Sequence, residues 1–244
     1  MTGRLLARAE LARAERDAMF ALLTAHFEGV DRATFDRDLD EKNWVLLFGD
    51  GGTLEGFTTL LVYDTVDAGE IISVVYSGDT IMRRNAWSTS ALPRSWIAAV
   101  RALRERDLHG RRLYWLLLTS GFRTYRLLPV FWREFYPRHD SATPESIRSL
   151  ISRLSSERFG ACYDRDRGVV RFAVPQRLRG SLQDVSPGRL ADPHVAFFLE
   201  RNPGWRRGDE LVSLTEIAFD NLTPAGRRLW LQDGRATARV ERAG

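Results

Sequence analysis

The sequence has a single cysteine, Cys162, and a single lysine, Lys42, among its 244 residues. One cysteine cannot form an internal disulfide, so small secreted disulfide scaffolds and cysteine-rich zinc modules are excluded. No apolar run reaches the roughly 20 residues that span a bilayer, and charged residues interrupt the N-terminal segment, unlike the core of a signal peptide. We therefore expect a cytoplasmic protein with no membrane partner.

Several common catalytic motifs are also missing. Neither a phosphate-binding P-loop nor a dinucleotide-binding glycine motif occurs, and there is no Gly-x-Ser-x-Gly elbow for a serine nucleophile. The four histidines are scattered without the spacing of metal ligands, so no metal is expected. These absences argue against nucleotide hydrolysis, dinucleotide-dependent redox chemistry and metal-dependent chemistry.

Charge is divided unevenly along the chain, whose formal net charge is +4. Residues 43–80 contain no arginine or lysine, whereas residues 81–138 contain twelve arginines. Biased codon use explains a preference for arginine over lysine, and the planar guanidinium also suits phosphate and carboxylate ligands. A surface polarised in this way steers an anionic ligand or partner to its basic side.

Aromatic residues between the arginines follow core spacing, so no nucleic-acid partner is expected, although nucleic-acid binding stays a rival hypothesis.

Hydrophobic periodicity predicts a mixed α/β order along the chain. A glycine-rich turn at 49–52 between two apolar segments predicts a hairpin, which a third strand extends into an antiparallel meander. The pattern predicts helices over 5–27, 31–40, 90–106, 125–137 and 144–158, and strands over 43–48, 54–64, 70–82, 113–118, 168–174 and 210–219.

Two segments carry a resemblance to a known family. Residues 74–103 (VVYSGDTIMRRNAWSTSALPRSWIAAVRAL) run from a strand through a loop into a helix, and residues 113–137 supply the next strand and helix. In this order, the sequence resembles the GNAT acyltransferase superfamily over about residues 15–138. The resemblance implies an α/β fold with a mixed, mostly antiparallel central sheet flanked by helices. It places a GNAT-like domain at 1–175 and a C-terminal extension at 176–244, which completes the sheet or forms a homodimer contact.

The resemblance also implies where the acyl donor binds. In the family, a loop of pattern Arg/Gln-x-x-Gly-x-Gly/Ala holds the diphosphate of CoA on backbone N–H groups at a helix N-terminus, where partial positive charge collects. The corresponding segment here, Arg83 to Ala91, lacks the glycines and contains Trp87. By this resemblance, the donor-binding residues are Ile81, Met82, Arg83, Arg84, Ser88, Thr89, Ser90, Ala91 and Thr119.

Catalytic candidates follow from the same resemblance. Members of the family often take a proton from the amine with a carboxylate on the meander, which here is Asp79 or Glu70. They often protonate the leaving thiolate with a tyrosine on the helix after the next strand, for which Tyr125 is the candidate and Tyr136 the alternative. Gly78 beside Asp79 predicts a β-bulge, which would open the sheet just past Tyr76 for the thioester.

The resemblance thus predicts an N-acyltransferase with a small-molecule amine as acceptor. The co-substrate is acyl-CoA, such as acetyl-CoA, or the acylated phosphopantetheine arm of an acyl carrier protein. Because the loop lacks the family's glycines, a catalytically inactive GNAT-like module that binds or assembles with a partner stays open as the alternative function.

Overall fold

The structure, a computed structural model, describes residues 2–50, 53–86, 90–107 and 110–232. The strands in these ranges are β1 (Thr2–Ala7), β2 (Phe27–Glu28), β3 (Trp44–Asp50), β4 (Thr53–Asp67), β5 (Glu70–Met82), β6 (Leu113–Thr119), β7 (Tyr163–Asp164), β8 (Val169–Val170), β9 (Arg177–Leu178) and β10 (Glu210–Glu216). The helices are α1 (Arg13–His26), α2 (Arg32–Asp40), α3 (Ala91–Asp107), α4 (Phe122–Tyr125), α5 (Leu127–Phe131), α6 (Glu145–Phe159), α7 (Pro187–Leu190), α8 (Pro193–Arg201) and α9 (Pro224–Leu231).

Eight strands form the central sheet in the order β1-β3-β4-β5-β6-β10-β8-β7. Strands β3, β4 and β5 form the predicted antiparallel meander. Strands β5 and β6 pair in parallel, with α3 as the connection between them, and the other neighbouring pairs are antiparallel. The predicted class, a mixed and mostly antiparallel sheet flanked by helices, is confirmed.

Side chains along the central strands point alternately to the two faces of the sheet, so the core is divided between these faces. On β6, Trp115 belongs to the apolar cluster under α3, whereas the neighbouring Tyr114 and Leu116 belong to the cluster under α6. Successive side chains of a strand point to opposite faces, and every residue of β6 is buried. The continuous apolar segment therefore marks a central strand covered on both sides, as predicted.

The N-terminal segment is a strand, and the helix predicted from residue 5 onward is wrong over its first residues. Strand β1 pairs antiparallel with β3, placing Leu5 opposite Leu46 and Leu6 opposite Val45. Leu5 packs in the cluster under α3 and Leu6 in the cluster under α1. Two adjacent leucines buried on opposite faces of a sheet require the period of a strand rather than that of a helix.

Two other predicted elements are shorter than the sequence indicates. The helix predicted over 125–137 is replaced by α4 and α5, after which Trp132 and Tyr136 form bridges to Leu222 and Leu214. The strand predicted over 168–174 is paired only at β8, because Val174 beyond it is exposed and has no core to join. The helix prediction failed because contacts with distant residues override the local pattern, and the strand prediction failed because the last residues of that segment are exposed.

Strand β10 comes from the predicted C-terminal extension, yet it lies inside the sheet. It pairs antiparallel with β6 from Leu211↔Thr119 to Glu216↔Tyr114, and with β8 on its other side. The first residue of β10, Glu210, therefore lies beside the end of β6. The division of the chain at residue 176 stays a prediction. Within the described ranges, no helix is both long and apolar enough to cross a membrane.

Candidate active site

The two parallel central strands separate at one end. Strands β5 and β6 pair only as far as Ser77 and Leu117. Beyond this point β5 continues to Met82 beside β4, while β6 continues to Thr119 beside β10. The prediction that the sheet opens just past Tyr76 is confirmed. The result is a cleft between two strand ends, of which the end of β5 pairs only with β4 and the end of β6 only with β10 among the described strands.

A β-bulge turns Asp79 toward this cleft. Thr58 pairs with Thr80 and Leu60 with Ser77, so Gly78 and Asp79 together lie opposite a single residue of β4. A Cβ atom on Gly78 would lie 2.5 Å from Thr59 Oγ1 and 2.8 Å from Lys42 Cε. The predicted bulge is confirmed, and glycine is needed there because the neighbouring side chains leave no room.

The cleft widens into a cavity of about 510 Å³ on the face of the sheet that carries α2. Three carboxyl groups line it, from Asp38 of α2, Asp79 of the bulge and Glu210 at the start of β10. Its apolar walls include Phe27, Phe35, Leu118, Phe172 and Leu178. The cavity thus combines an acidic end with apolar walls, the usual composition of a small-molecule site.

Two of these carboxyl groups titrate near neutral pH. Burial raises the pKa of Asp79 to about 7, helped by the negative charge of Asp38 and opposed by the positive charge of Lys42. Burial also raises the pKa of Glu210 to about 8, with further contributions from the charges of Asp79 and Asp38. Groups that titrate near pH 7 inside a cleft suit general acid–base chemistry.

These shifts predict that the protein loses stability as the pH rises. A carboxyl group with a raised pKa in the folded state binds its proton more tightly there than in the unfolded chain, so folding is favoured at low pH. We expect the Tm to fall between about pH 4.5 and pH 8, as Asp79 and Glu210 ionise. Thermal unfolding across this range measures the slope, which should be shallower in Asp79→Asn. An equal slope in that variant would contradict the assignment.

Glu70, the other predicted base, lies far from this cavity. It is exposed at the first position of β5, where it pairs with Asp67. Asp79 is nine positions further along the same strand, a distance of about 30 Å. The two carboxylates cannot serve one reaction, and of the two only Asp79 lines the cavity.

Tyr125, the predicted acid, is not brought into the cavity either. Its hydroxyl donates a hydrogen bond to the carbonyl of Pro137 at 3.0 Å, and its ring packs against Phe135 and Phe198. Burial raises the pKa of Tyr125 well above its usual value. Tyr136 forms a backbone bridge with Leu214, packs against the apolar cluster under α6, and is not one of the residues that line the cavity. The catalytic roles assigned to Glu70, Tyr125 and Tyr136 stay predictions.

Replacing Tyr125 with phenylalanine separates packing from catalysis. The variant keeps the ring but leaves the Pro137 carbonyl without its donor, so we expect a loss of about 0.5–1.5 kcal/mol in unfolding free energy. We expect acyl transfer at saturating substrate to change less than twofold. Urea unfolding and initial rates measure the two effects. A rate loss of tenfold or more with an unchanged Tm would restore Tyr125 as the acid.

The structure brings to the cavity residues that sequence reasoning missed, notably Glu210, Asp38 and Tyr76, and it buries Lys42 next to Asp38. Tyr76 is buried, with Lys42 Nζ 5.4 Å and Arg158 Cζ 5.2 Å from the centre of its ring. Burial raises the pKa of Tyr76 well above its usual value. One signal was present in the sequence: Lys42 is the only lysine among 36 basic residues.

The predicted donor-binding residues are divided between several environments. Ile81 and Met82 line the cavity. Ser90 accepts hydrogen bonds at the start of α3, its hydroxyl from Arg94 Nη2 at 2.8 Å and its carbonyl from Arg94 N at 3.0 Å. Ala91 is the first residue of α3. The Thr119 hydroxyl donates to the Leu211 carbonyl at 3.3 Å. Ser88 and Thr89, like Trp87, lie outside the described residues.

Arginines surround a second hollow, of about 630 Å³, next to the acidic cavity. Arg83, Arg84 and Arg179 line it, and both His26 and Leu182 border the two hollows. Burial and the nearby charges of Arg84 and Arg189 lower the pKa of Arg123, which lines the acidic cavity at this side. Positive charge is therefore concentrated where an anionic group would be stabilised. Arg179 belongs to the chain beyond residue 176, where no motif indicated it.

On the opposite face of the sheet, tryptophans fill the space behind the separated strands. The ring centres of Trp96 and Trp115 lie 4.0 Å apart, and those of Trp115 and Trp132 lie 5.0 Å apart. The void between them measures about 10 Å³, hardly the size of one water molecule. The cleft is therefore open toward α2 and closed toward α3.

Comparisons with known proteins place acyltransferases among the similar structures. No protein-family model and no curated protein matches the chain. A conserved Enterococcus faecalis V583 protein, described as a probable N-acyltransferase, matches with a TM-score of 0.41 and 13% identity over 64% of this chain and 43% of its own. A GNAT family N-acetyltransferase of Escherichia coli in complex with CoA matches with a TM-score of 0.39 and 16% identity over 54% of this chain and 69% of its own. A Trypanosoma brucei acetyltransferase matches with a TM-score of 0.38 and 14% identity over 58% of this chain and 97% of its own. The chain is thus similar to solved N-acetyltransferases over part of its length, while its own strand order carries the assignment of its fold class.

Proposed function

We propose that the protein transfers an acyl group from a thioester to an amine, in the manner of the GNAT superfamily that its sequence resembles. One observation carries the proposal: β5 and β6 separate at Ser77, and Asp79 lies in the opening. A pantetheine thioester is extended and rich in amide groups, so it can pair with strand backbone that has no partner strand. The carboxyl group of Asp79 then lies in the cavity that the amine must enter.

Asp79 is the base of the proposed reaction. The acceptor arrives as an ammonium ion, and the Asp79 carboxylate takes one proton from its nitrogen, which frees the lone pair to attack the thioester carbonyl. The tetrahedral intermediate collapses as the C–S bond breaks, and the nitrogen loses its second proton to solvent. Because the pKa of Asp79 lies near 7, the carboxylate is available at neutral pH.

Glu210 is the proposed acid. The departing thiolate must take up a proton, and a donor works best when its pKa is close to that of the group it protonates. The pKa of Glu210 is about 8, close to the value of about 8.5 of an ordinary thiol. Glu210 lines the same cavity as Asp79, which Tyr125 does not. After thiol release, solvent returns a proton to Glu210 and removes one from Asp79.

The arginine-lined hollow is the proposed site for the phosphate groups of the donor. Arg83 and Arg84 come from the segment that the resemblance assigns to the diphosphate, and Arg179 adds a third guanidinium. Guanidinium groups bind phosphate through paired N–H donors. In the family, the glycines allow the backbone to make these phosphate contacts. Here the guanidinium groups can make them instead. Both CoA and a carrier-bound phosphopantetheine arm present this chemistry.

One observation favours the alternative, a GNAT-like module without catalysis. Tryptophans close the side of the cleft that faces α3, so a ligand must be accommodated from the α2 side alone. A module that binds a partner would need no passage for two substrates. The two functions differ in a measurable way, because only the enzyme releases free thiol from a thioester.

The test combines ligand binding with turnover. Purified protein is incubated with acetyl-CoA, or with an acetylated carrier protein, and a panel of primary amines, and acylated products are quantified by mass spectrometry. Thiol-reactive dyes are avoided because Cys162 lines the cavity. A bound donor at 100 times its Kd should add about 2.7 kcal/mol to the unfolding free energy. Stabilisation without product would favour the binding module, and the absence of both with either donor would contradict the proposal.

A further inference from the structure

Lys42 is buried beside Asp38, one of the carboxyl groups that line the cavity. Its side chain has no exposed surface, and its Nζ donates to Asp38 Oδ1 at 2.6 Å and to the Asp38 carbonyl at 2.9 Å. The same Nζ lies 5.4 Å from the centre of the Tyr76 ring. Lysine is rarely buried unless its charge is paired, because loss of hydration is costly. Lys42 is therefore an unusual buried cation, which its contacts with Asp38 stabilise.

The Lys42 side chain packs directly against the backbone of the β-bulge. A side chain at Gly78 would meet Lys42 Cε at 2.8 Å and Nζ at 3.5 Å. Because Gly78 has no side chain, the Lys42 stem can occupy this volume. Gly78 directly precedes Asp79 in the chain, so the lysine lies close to the bulge that carries Asp79. A compact ammonium on a slender stem fits such a space, whereas the planar guanidinium of arginine is broader. This explains why the one lysine of an arginine-rich chain is found here.

Few other charges surround this position. The titratable and charged groups that face Asp79 or Lys42 come from α2, β5, β10 and α6, and they are Asp38, Tyr76, Glu210 and Arg158. Arg158 is held by an ion pair with Glu41, and its Cζ lies 5.2 Å from the centre of the Tyr76 ring. Among the described residues, Lys42 is therefore the cation whose charge acts on Asp79, where it opposes the effect of Asp38.

We propose that Lys42 is a positioning residue that anchors Asp38 and favours the ionised form of Asp79 across the bulge. The inference deepens the proposed function, since it assigns the control of the base to a residue that does not touch the substrate. Without Lys42, the negative charge of Asp38 would act on Asp79 unopposed, and Asp79 would stay protonated at neutral pH. The base would then be active only in alkaline solution.

The single lysine makes the test direct, because selective labelling of lysine with ¹³C and ¹⁵N yields one side-chain signal. In the wild-type protein, the Lys42 Cε and Nζ shifts should change with a midpoint near pH 7, as Asp79 titrates. The change should vanish in Asp79→Asn and persist in Glu70→Gln. A flat response between pH 5.5 and 8.5 in folded wild-type protein would overturn the proposal.

The matched variant is Lys42→Met, which keeps the length of the stem and removes the charge. With labelled aspartate, the Asp79 midpoint should move upward by at least one pH unit. The rising limb of the pH–rate profile should move with it, so that any acyl transfer at pH 7 falls about tenfold. Arg148→Met on the exposed side of α6 is the control. An unchanged Asp79 midpoint in folded Lys42→Met would overturn the role of Lys42. Because both titrations need no substrate, an inactive wild-type protein would contradict the proposed function alone.

Discussion

Replacing Asp79 with asparagine should lower acyl transfer by about 10²- to 10⁴-fold, the usual contribution of a positioned general base. The substitution keeps the size of the side chain and the bulge at Gly78, but the amide cannot accept a proton from an ammonium ion. Wild-type kcat/KM should rise with pH through about 7, where Asp79 ionises, and fall above about pH 8, where Glu210 loses the proton that it donates. The variant should lose the rising limb of this profile.

The control for this prediction lies on the same strand. Glu70→Gln removes a carboxylate that was an equal candidate in the sequence, yet its side chain is exposed at the far end of β5. Initial rates for that variant should stay within twofold of wild type. If Glu70→Gln were the slower of the two, Asp79 would not be the base and the cleft would not be the active site.

Local patterns were sufficient to predict the part of the fold that opens the cleft. The hairpin turn, the alternation along β4 and β5, and the continuous apolar character of β6 are properties of contiguous residues. Gly78 beside Asp79 indicated the bulge for the same reason, since a glycine within a strand often marks such an irregularity. One candidate base was therefore predicted correctly in its position, although its catalytic role stays a prediction.

The rest of the site depends on residues that meet only in three dimensions. Glu210 reaches the cleft because β10 pairs antiparallel with β6, about 90 residues earlier in the chain, and no local pattern specifies that register. Lys42 and Asp38 lie at the end of α2, where a short charged segment resembles a solvated helix end. The N-terminal strand was missed because the spacing of the chain's first apolar residues fits both a helix and a strand. Only the pairing with β3 decides between the two.

The largest expected effect on stability is that of replacing Trp115 with alanine. Trp115 is buried on β6, packs between Trp96 and Trp132, and donates its Nε1–H to Ser77 Oγ at 2.7 Å. Removal of a buried aromatic of this size costs about 3–5 kcal/mol through lost burial and the cavity left behind. Urea unfolding should show that loss at an unchanged m-value. Val66→Ala, on an exposed side chain of β4, is the control and should stay within about 0.5 kcal/mol of wild type.

The same variant tests whether the tryptophans decide which side of the cleft is open. Ser77 is the last residue of β5 that pairs with β6, so the hydrogen bond from Trp115 fixes the point where the strands separate. Trp115→Ala would create space toward α3, and a longer acyl chain would then fit where the wild-type protein has a void of about 10 Å³. We expect the variant, if assayed below its lowered Tm, to gain activity with longer acyl donors relative to acetyl donors. An unchanged ratio in a folded variant would mean that the acyl chain is held entirely on the α2 side, where the cavity of about 510 Å³ already has room for it.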